Sequence, residues 1–203
     1  MNKNLSLLTI SQVFGFTAAT ITVFLSGIIG SQITSIKSLS TLPTALYVVG
    51  TAIFTILAAR IMSKIGRRLG FIFAALGSSA ASLLAAFAIS QQNFILFCIS
   101  CLILGMGAAF NHQYRFAAAE SVEKEKAPRA ISILMLAGIV AAFLGISSAN
   151  YTKNLIPDLL YVGSYLLLAV FTFMPAIFLF FYKNNETTKI EFNNKYNGRR
   201  LFE

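Results

Sequence analysis

Apolar residues run through this chain in long stretches broken by short polar ones, and the lengths of those stretches predict its architecture. A helix rises about 1.5 Å per residue, so about 20 residues cross the roughly 30 Å hydrocarbon core of a bilayer. Six runs meet that length, at about Leu5 to Ile29, Leu42 to Met62, Leu69 to Ser90, Phe94 to Ala119, Ala130 to Ser148 and Leu159 to Tyr182. Between them stand SQITSIKSLSTLP, SKIGRR, QQN, ESVEKEKAPR and ANYTKNLIPD. Separators this short make successive helices antiparallel neighbours. The predicted fold class is all-α integral membrane: a bundle of six antiparallel transmembrane helices over residues 1–182, then a tail at 183–203. The tail, KNNETTKIEFNNKYNGRRLFE, is polar and Asn-rich and reads as a cytoplasmic linker. The first run is too long for the apolar region of a signal peptide and lacks a small-x-small cleavage site, so it reads as a retained first helix.

Composition excludes a soluble globule. Apolar residues make up 57% of the chain and charged ones 11%, against roughly 25% charged in an average soluble domain, so too few polar side chains remain to cover a water-facing surface. Charge then sets the orientation. Lys3, Arg60, Lys64, Arg67, Arg68, Arg115, Lys124, Lys126 and Arg129 fall on the side of the N-terminus, with Lys183, Lys189, Lys195, Arg199 and Arg200 in the tail. Only Lys37 and Lys153 fall on the other side. The positive-inside rule places both termini in the cytoplasm. Topology and lipid contact account for the net charge of +9, with no nucleic-acid partner required.

Few residues carry candidate chemistry. Cys98 and Cys101 form a CxxC inside an apolar run with no second cysteine pair, which reads as helix packing and gives no metal site and no cofactor. The loop RIMSKIGRR holds Gly66, suited to a tight turn, and Lys64, Arg67 and Arg68, which suit lipid phosphates or the carbonyls ending the second helix. The fourth run ends in NHQYR. Treated as one continuous helix, it puts Asn111 and Arg115 on one side, His112 less closely so, with Tyr114 adjacent. Ionisable groups in a span are costly and tend to face a cavity or a partner. Arg115 has two readings: an anion anchor or gate on an aqueous path, or a side chain that snorkels to the interface or pairs with Glu120 or Glu123. His112 is either a structural histidine or a proton-handling group. Gly105 and Gly107, then Gly138, Ala142 and Gly145, supply small residues for close helix contact. The first helix carries Thr17, Thr20, Thr22 and Ser26, whose hydroxyls can satisfy their own backbone. It also carries Gln12, whose primary amide needs a partner.

These segments resemble a known family. ARIMSKIGRRLGF is similar to GxLaDRxGRRxxL, the loop joining helices two and three in the major facilitator superfamily (MFS). Gly66, Arg67 and Arg68 match, Lys64 and Ile61 replace Arg and Leu, and Ala59 and Ser63 depart from the Gly and the Asp. GMGAAFNHQYRFAAAESV is similar to the superfamily's fourth-helix end, although Cys101 stands where an Arg is frequent. AGIVAAFLG resembles its fifth-helix motif, with Ile146 in place of the usual Pro. The phrases YRFAAAE and AGIVAAFLG resemble one bacterial branch that includes riboflavin transporters. The resemblance implies half of an MFS fold, two inverted three-helix repeats, in a bacterial inner membrane. It implies alternating-access transport of a small solute, with a riboflavin-like one suggested by the branch, by a carrier rather than an enzyme. Helices one and four line the family's cavity, which implies Gln12, Asn111, His112, Tyr114 and Arg115 as pathway residues. Lys64, Gly66, Arg67, Arg68 and Glu120 are implied as a cytoplasmic gate.

Family carriers need about twelve helices, so the chain is expected to be truncated or split, or to pair with a second half or a homodimer mate. A non-transporting subunit or decayed fragment is the alternative. An intramembrane serine protease is remote, since His112 is the sole His and neither LGSSAAS nor LGISSAN supplies a GxSG. No GxxxxGK[ST] occurs, which argues against direct ATP use.

Overall fold

In lipid every backbone N–H and C=O must find its partner inside the protein, and a chain this apolar meets that demand with helices. The computed structural model describes residues 2–157 and 159–183. The helices are α1 (Lys3–Ile33), α2 (Leu42–Ile65), α3 (Arg67–Ser90), α4 (Phe94–Asn111), α5 (Tyr114–Glu120), α6 (Ala127–Thr152) and α7 (Val162–Phe180). Among the described residues there are no strands, and six spans are long and apolar enough to cross a membrane, α4 and α5 together making one. Apart from Lys183, the polar tail lies outside the described residues.

Local chemistry sets the helix ends. Pro43 and Pro128 occupy first-turn positions of α2 and α6, where a missing N–H costs nothing. The Asn93 side chain accepts the Leu96 N–H at 3.0 Å and caps α4. Gly66 alone joins α2 to α3, at φ 88°, a backbone conformation that a Cβ disfavours. Helix α1 runs 31 residues, about 46 Å, so it outreaches the hydrocarbon core and extends past the predicted Leu5–Ile29. The fourth run differs more. It is interrupted at His112–Gln113, where the Gln113 N–H tightens onto the Phe110 carbonyl at 2.9 Å.

The main pairings are α3 with α7, α2 with α4, α1 with α6, α3 with α4, and α1 with α7. With α4 and α5 counted as one span, exchanging the first three spans for the last three maps this set onto itself. Three helices per repeat reverse the direction of the second repeat, so the fold is two inverted three-helix repeats, as the resemblance implies. Its pseudo-twofold passes through the two self-related pairs, α1–α4 and α3–α7, which therefore lie on opposite sides of the bundle.

Two equivalent seams use the same device. Thr17 donates its hydroxyl to the Val13 carbonyl at 2.7 Å and reaches Ala141 O on α6 at 3.4 Å. Thr51 likewise bonds Tyr47 O at 2.9 Å and reaches Gly105 O on α4 at 3.1 Å. Small residues permit the approach. A Cβ on Gly105 would overlap the Tyr47 carbonyl, one on Gly50 would sit 2.5 Å from the Leu102 carbonyl, and one on Gly145 would sit 2.8 Å from the Thr20 Cβ. Gly107 packs on Ser78 of α3 in the same way, whereas Gly138 meets only the edge of Phe16, at 4.0 Å. Ala142 is half-buried on α6.

Gly105→Ala should therefore cost about 1–3 kcal/mol by forcing backbones apart, whereas Gly138→Ala should be neutral or stabilising by up to about 1 kcal/mol. Thermal unfolding of both variants in detergent micelles checks the contrast. Equal effects would mean that the α2–α4 seam yields more easily than its geometry indicates.

Candidate transport pathway and gate

Where α1 crosses the fourth span, Gly15 leaves room for Asn111, whose Nδ2 donates to the Gly15 carbonyl at 3.3 Å. The next residue, His112, sets its ring edge-on to Phe16 with centroids 5.6 Å apart. Both are half-buried. Gln12, one turn before Gly15, is 3% exposed, and its Oε1 finds no donor. The hydroxyls of Ser11 and Thr22 on the same helix also lack partners, while Thr17 and Thr20 bond their own preceding turn and Ser26 pairs with Thr44 at 2.6 Å. A buried amide without a partner suits a seam that water or a ligand reaches.

The interruption at His112–Gln113 rearranges the rest of the NHQYR cluster. Asn111 ends α4 and Arg115 belongs to α5, so the two do not share one continuous helix. The freed His112 carbonyl accepts Arg115 Nε at 3.1 Å, and the exposed guanidinium lies 5.8 Å from the Phe116 ring centroid. Gln113, buried, reaches the Thr55 carbonyl of α2 at 3.5 Å. Tyr114 turns into the core, its ring centroid 4.5 Å from that of Phe71. The structure thus brings Asn111 and His112 against α1, and sends Tyr114 elsewhere.

The end of the bundle holding the N-terminus also holds the α2–α3 turn. There Arg67 grips Glu120 through two bonds, Nε to Oε2 at 2.8 Å and Nη2 to Oε1 at 2.5 Å, tying the start of α3 to the end of α5. This fork geometry is one a lysine cannot copy. Gly66 delivers Arg67 to that position and Arg68 to the ring of Phe180, 4.9 Å away. Lys64 is exposed at the end of α2. Asn2 donates to Ser121 O at 2.6 Å, and Asn4 exchanges two bonds with the Lys183 backbone, at 2.9 and 3.3 Å. Among the described basic residues only Lys37 and Lys153 stand at the opposite end. A cavity of about 740 Å³ opens here between Asn2, Glu120, Glu123, Lys126 and Arg129. It does not include Gln12, Asn111 or His112.

Asn2, Asn4 and Tyr182 carry no motif that marks them in the sequence. Their partners lie up to 179 residues away, and the sole local sign was Asn ahead of an apolar run, a helix-start signal.

The Major Facilitator Superfamily model matches residues 5–201. The chain belongs to the major facilitator superfamily. It is 36% identical over 179 residues to the riboflavin transporter RfnT of Brucella anthropi, which covers 87% of this chain and 45% of that protein. It is 29% identical over 187 residues to the uncharacterized MFS-type transporter YdeG of Bacillus subtilis, covering 88% of this chain and 42% of the relative. The MFS chain described here spans less than half the length of these curated relatives.

Two outcomes follow from the geometry of this end. A double-mutant cycle on Arg67→Gln and Glu120→Gln should give a coupling of about 1 kcal/mol, near the upper end for exposed pairs because the fork is bidentate. Denaturation in detergent reads it, and zero coupling would remove the tie between α3 and α5. Tyr182, 2% exposed, is pushed up to about 12, mainly by burial, with Arg67 opposing and Glu120 adding to the shift. Its neutral form contributes stability that is fully present below pH 10 and lost as pH rises toward 12, about 2–3 kcal/mol in all. Tyr182→Phe should flatten that alkaline loss between pH 9 and 11.5.

Proposed function

We propose that this chain is the N-terminal half of a secondary carrier. It moves a small solute across a bacterial cytoplasmic membrane by alternating access, without enzymatic chemistry. The carrying observation is the family match over residues 5–201, beside relatives named as transporters of which this chain covers less than half. A second six-helix half, whether further chain, a separate chain or a second copy, completes the cavity in this reading. The exposed apolar faces of α2 and α6, including Val48, Ile53, Ile56, Ile139 and Phe143, are where it would meet this one. The basic end faces the cytoplasm, in keeping with its excess of Lys and Arg.

Within this reading the α1–α4 seam belongs to the solute pathway. Gln12 and Asn111 offer amide donors and acceptors, and Phe16 with His112 offers aromatic edges. That set suits a flat heteroaromatic solute with a hydrogen-bonding rim, a flavin-like ligand, in line with the name of the RfnT relative. Arg115, exposed beside the seam, supplies positive charge at its mouth. Tyr114 serves the core instead. Lys64, Gly66, Arg67, Arg68 and Glu120 form the gate: the Arg67–Glu120 fork holds α3 against α5 in one state and releases it in the other. Gly105, Gly107 and Gly145 keep the helices close enough to move as a body, whereas Gly138 meets only the edge of Phe16.

Uptake of labelled riboflavin into flavin-auxotrophic cells tests the proposal, with this chain expressed alone and together with the coding sequence beyond Glu203. Uptake is expected from this chain alone where a second copy completes the cavity and otherwise only with the second half, in either case surviving ATP depletion and collapsing with the ion gradients. Gln12→Ala and Asn111→Ala should each raise KM about tenfold, the cost of about one hydrogen bond. Uptake that follows ATP and ignores the gradients would overturn the carrier reading.

A further inference from the structure

Two helix faces that the bundle leaves open share one pattern. On α2, Val49, Ile53 and Ile56 lead to Arg60 and Lys64, at i, i+4, i+7, i+11 and i+15 of one side. On α6, Phe143, Val140 and Leu136 lead back to Arg129 with the same helical spacing. All of these side chains are exposed. Each face is apolar along the span and ends in cations at the basic end of the bundle. Helix α2 packs on α4 and α6 packs on α1, so the two faces flank the α1–α4 seam.

These cations lack counter-charges. Arg60, Lys64 and Arg129 make no hydrogen bond or ion pair through their side chains among the described residues. Ser63, between Arg60 and Lys64, is neutral and gives its hydroxyl to the Arg60 carbonyl at 2.7 Å. The described acidic residues are Glu120, Glu123 and Glu125. Glu120 is held by Arg67, and Glu123 by Lys126 at 2.6 Å. That leaves Glu125, exposed in the turn before α6, against Arg60, Lys64, Lys124 and Arg129. Arg129 also lines the cavity of about 740 Å³, which has room beside it for a side chain from another chain.

We propose that the half closing the α1–α4 side presents a carboxylate-rich rim at the level of Arg60, Lys64 and Arg129, and is therefore not a second copy of this chain. The proposal rests on the reading that a second six-helix half covers α2 and α6. Two copies would insert in the same sense, because the same excess of Lys and Arg orients both. Their rims would then meet cation against cation, and like charges across an interface oppose association. A partner with Asp or Glu at that level turns the same cations into cross-interface pairs, while its apolar helices cover the stripes beyond them.

The test uses a charge-reversed copy as the acidic-rimmed partner. The tagged, unmutated chain is mixed in nonionic detergent with an untagged Arg60→Glu/Lys64→Glu/Arg129→Glu variant, and co-purification is measured. At about 50 mM salt the reversed chain should be captured about tenfold better than an untagged unmutated chain, the combined effect of three exposed pairs. Raising the salt to about 500 mM should erase the difference by screening. Reversal at the opposite end, Lys37→Glu/Lys153→Glu, should give no gain. Equal capture of reversed and unmutated chains, a gain that survives high salt, or the same gain from the Lys37 and Lys153 reversal would overturn the proposal. Sedimentation of the unmutated chain at about 50 mM salt needs no variant: a monomer is expected, and a stable dimer would overturn the proposal. That dimer would leave the carrier reading standing, with a second copy as the other half. The readout requires no transport, so failed uptake and failed rim pairing are separate results.

Discussion

Between two helices in a bilayer the solvent is as apolar as the side chains, so burying leucine against leucine gains little over burying it against an acyl chain. Close contact has to provide the cohesion: dispersion at short range and the hydrogen bonds that short range permits. The rest of this bundle depends on that constraint. The α2–α4 and α1–α6 seams are closed by Gly50, Gly105 and Gly145, and at that spacing Thr51 reaches the Gly105 carbonyl and Thr17 the Ala141 carbonyl. The largest side chains are placed elsewhere. Phe97 packs on Tyr165 at one end, and Phe71 packs on Tyr114 and Tyr182 at the other.

The two ends of the bundle are built differently. At the basic end, the Arg67–Glu120 fork and the bonds of Asn2 and Asn4 join α1, α3, α5 and α7 across long sequence separations. Nothing comparable joins the other end among the described residues, where Ser26–Thr44 and Thr152–Ser164 are contacts between neighbouring spans. A gate belongs at an end whose ties are polar and few, because such ties can break and reform singly, whereas a packed apolar core moves as one body. The interruption at His112–Gln113 sits between this end and the α1–α4 seam. It separates α5, which carries Glu120, from α4, which carries Asn111. In the proposed carrier, a change at this end would reach the seam through a single helical joint.

The number of membrane-length helices, the all-α class and the family were legible in the sequence. Run length, charge asymmetry and the GRR turn are local properties that the bilayer reads directly. Parts of the candidate site were legible too. Asn111 and His112 stood out because polar groups in an apolar run need a reason, and Gln12 stood out for the same cause. The fourth run misled in one respect. Its composition contains no proline or glycine at the interruption, so it reads as one continuous helix, and phase counted through His112 puts Asn111 and Arg115 on a common side.

What the sequence could not settle is who meets whom. Glu120 had several basic residues within conceivable reach, and only the packing of α3 beside α5 assigned it to Arg67. Arg68 looked like any basic loop residue until α7 set Phe180 beneath it. Tyr114, polar in name, became a core residue because Phe71 was there to receive it. Span count follows from free energies summed over some twenty residues, each contributing independently of the others, and so it survives in a one-dimensional reading. A particular contact depends on helix rotation and crossing, which are decided by close packing among all six spans at once.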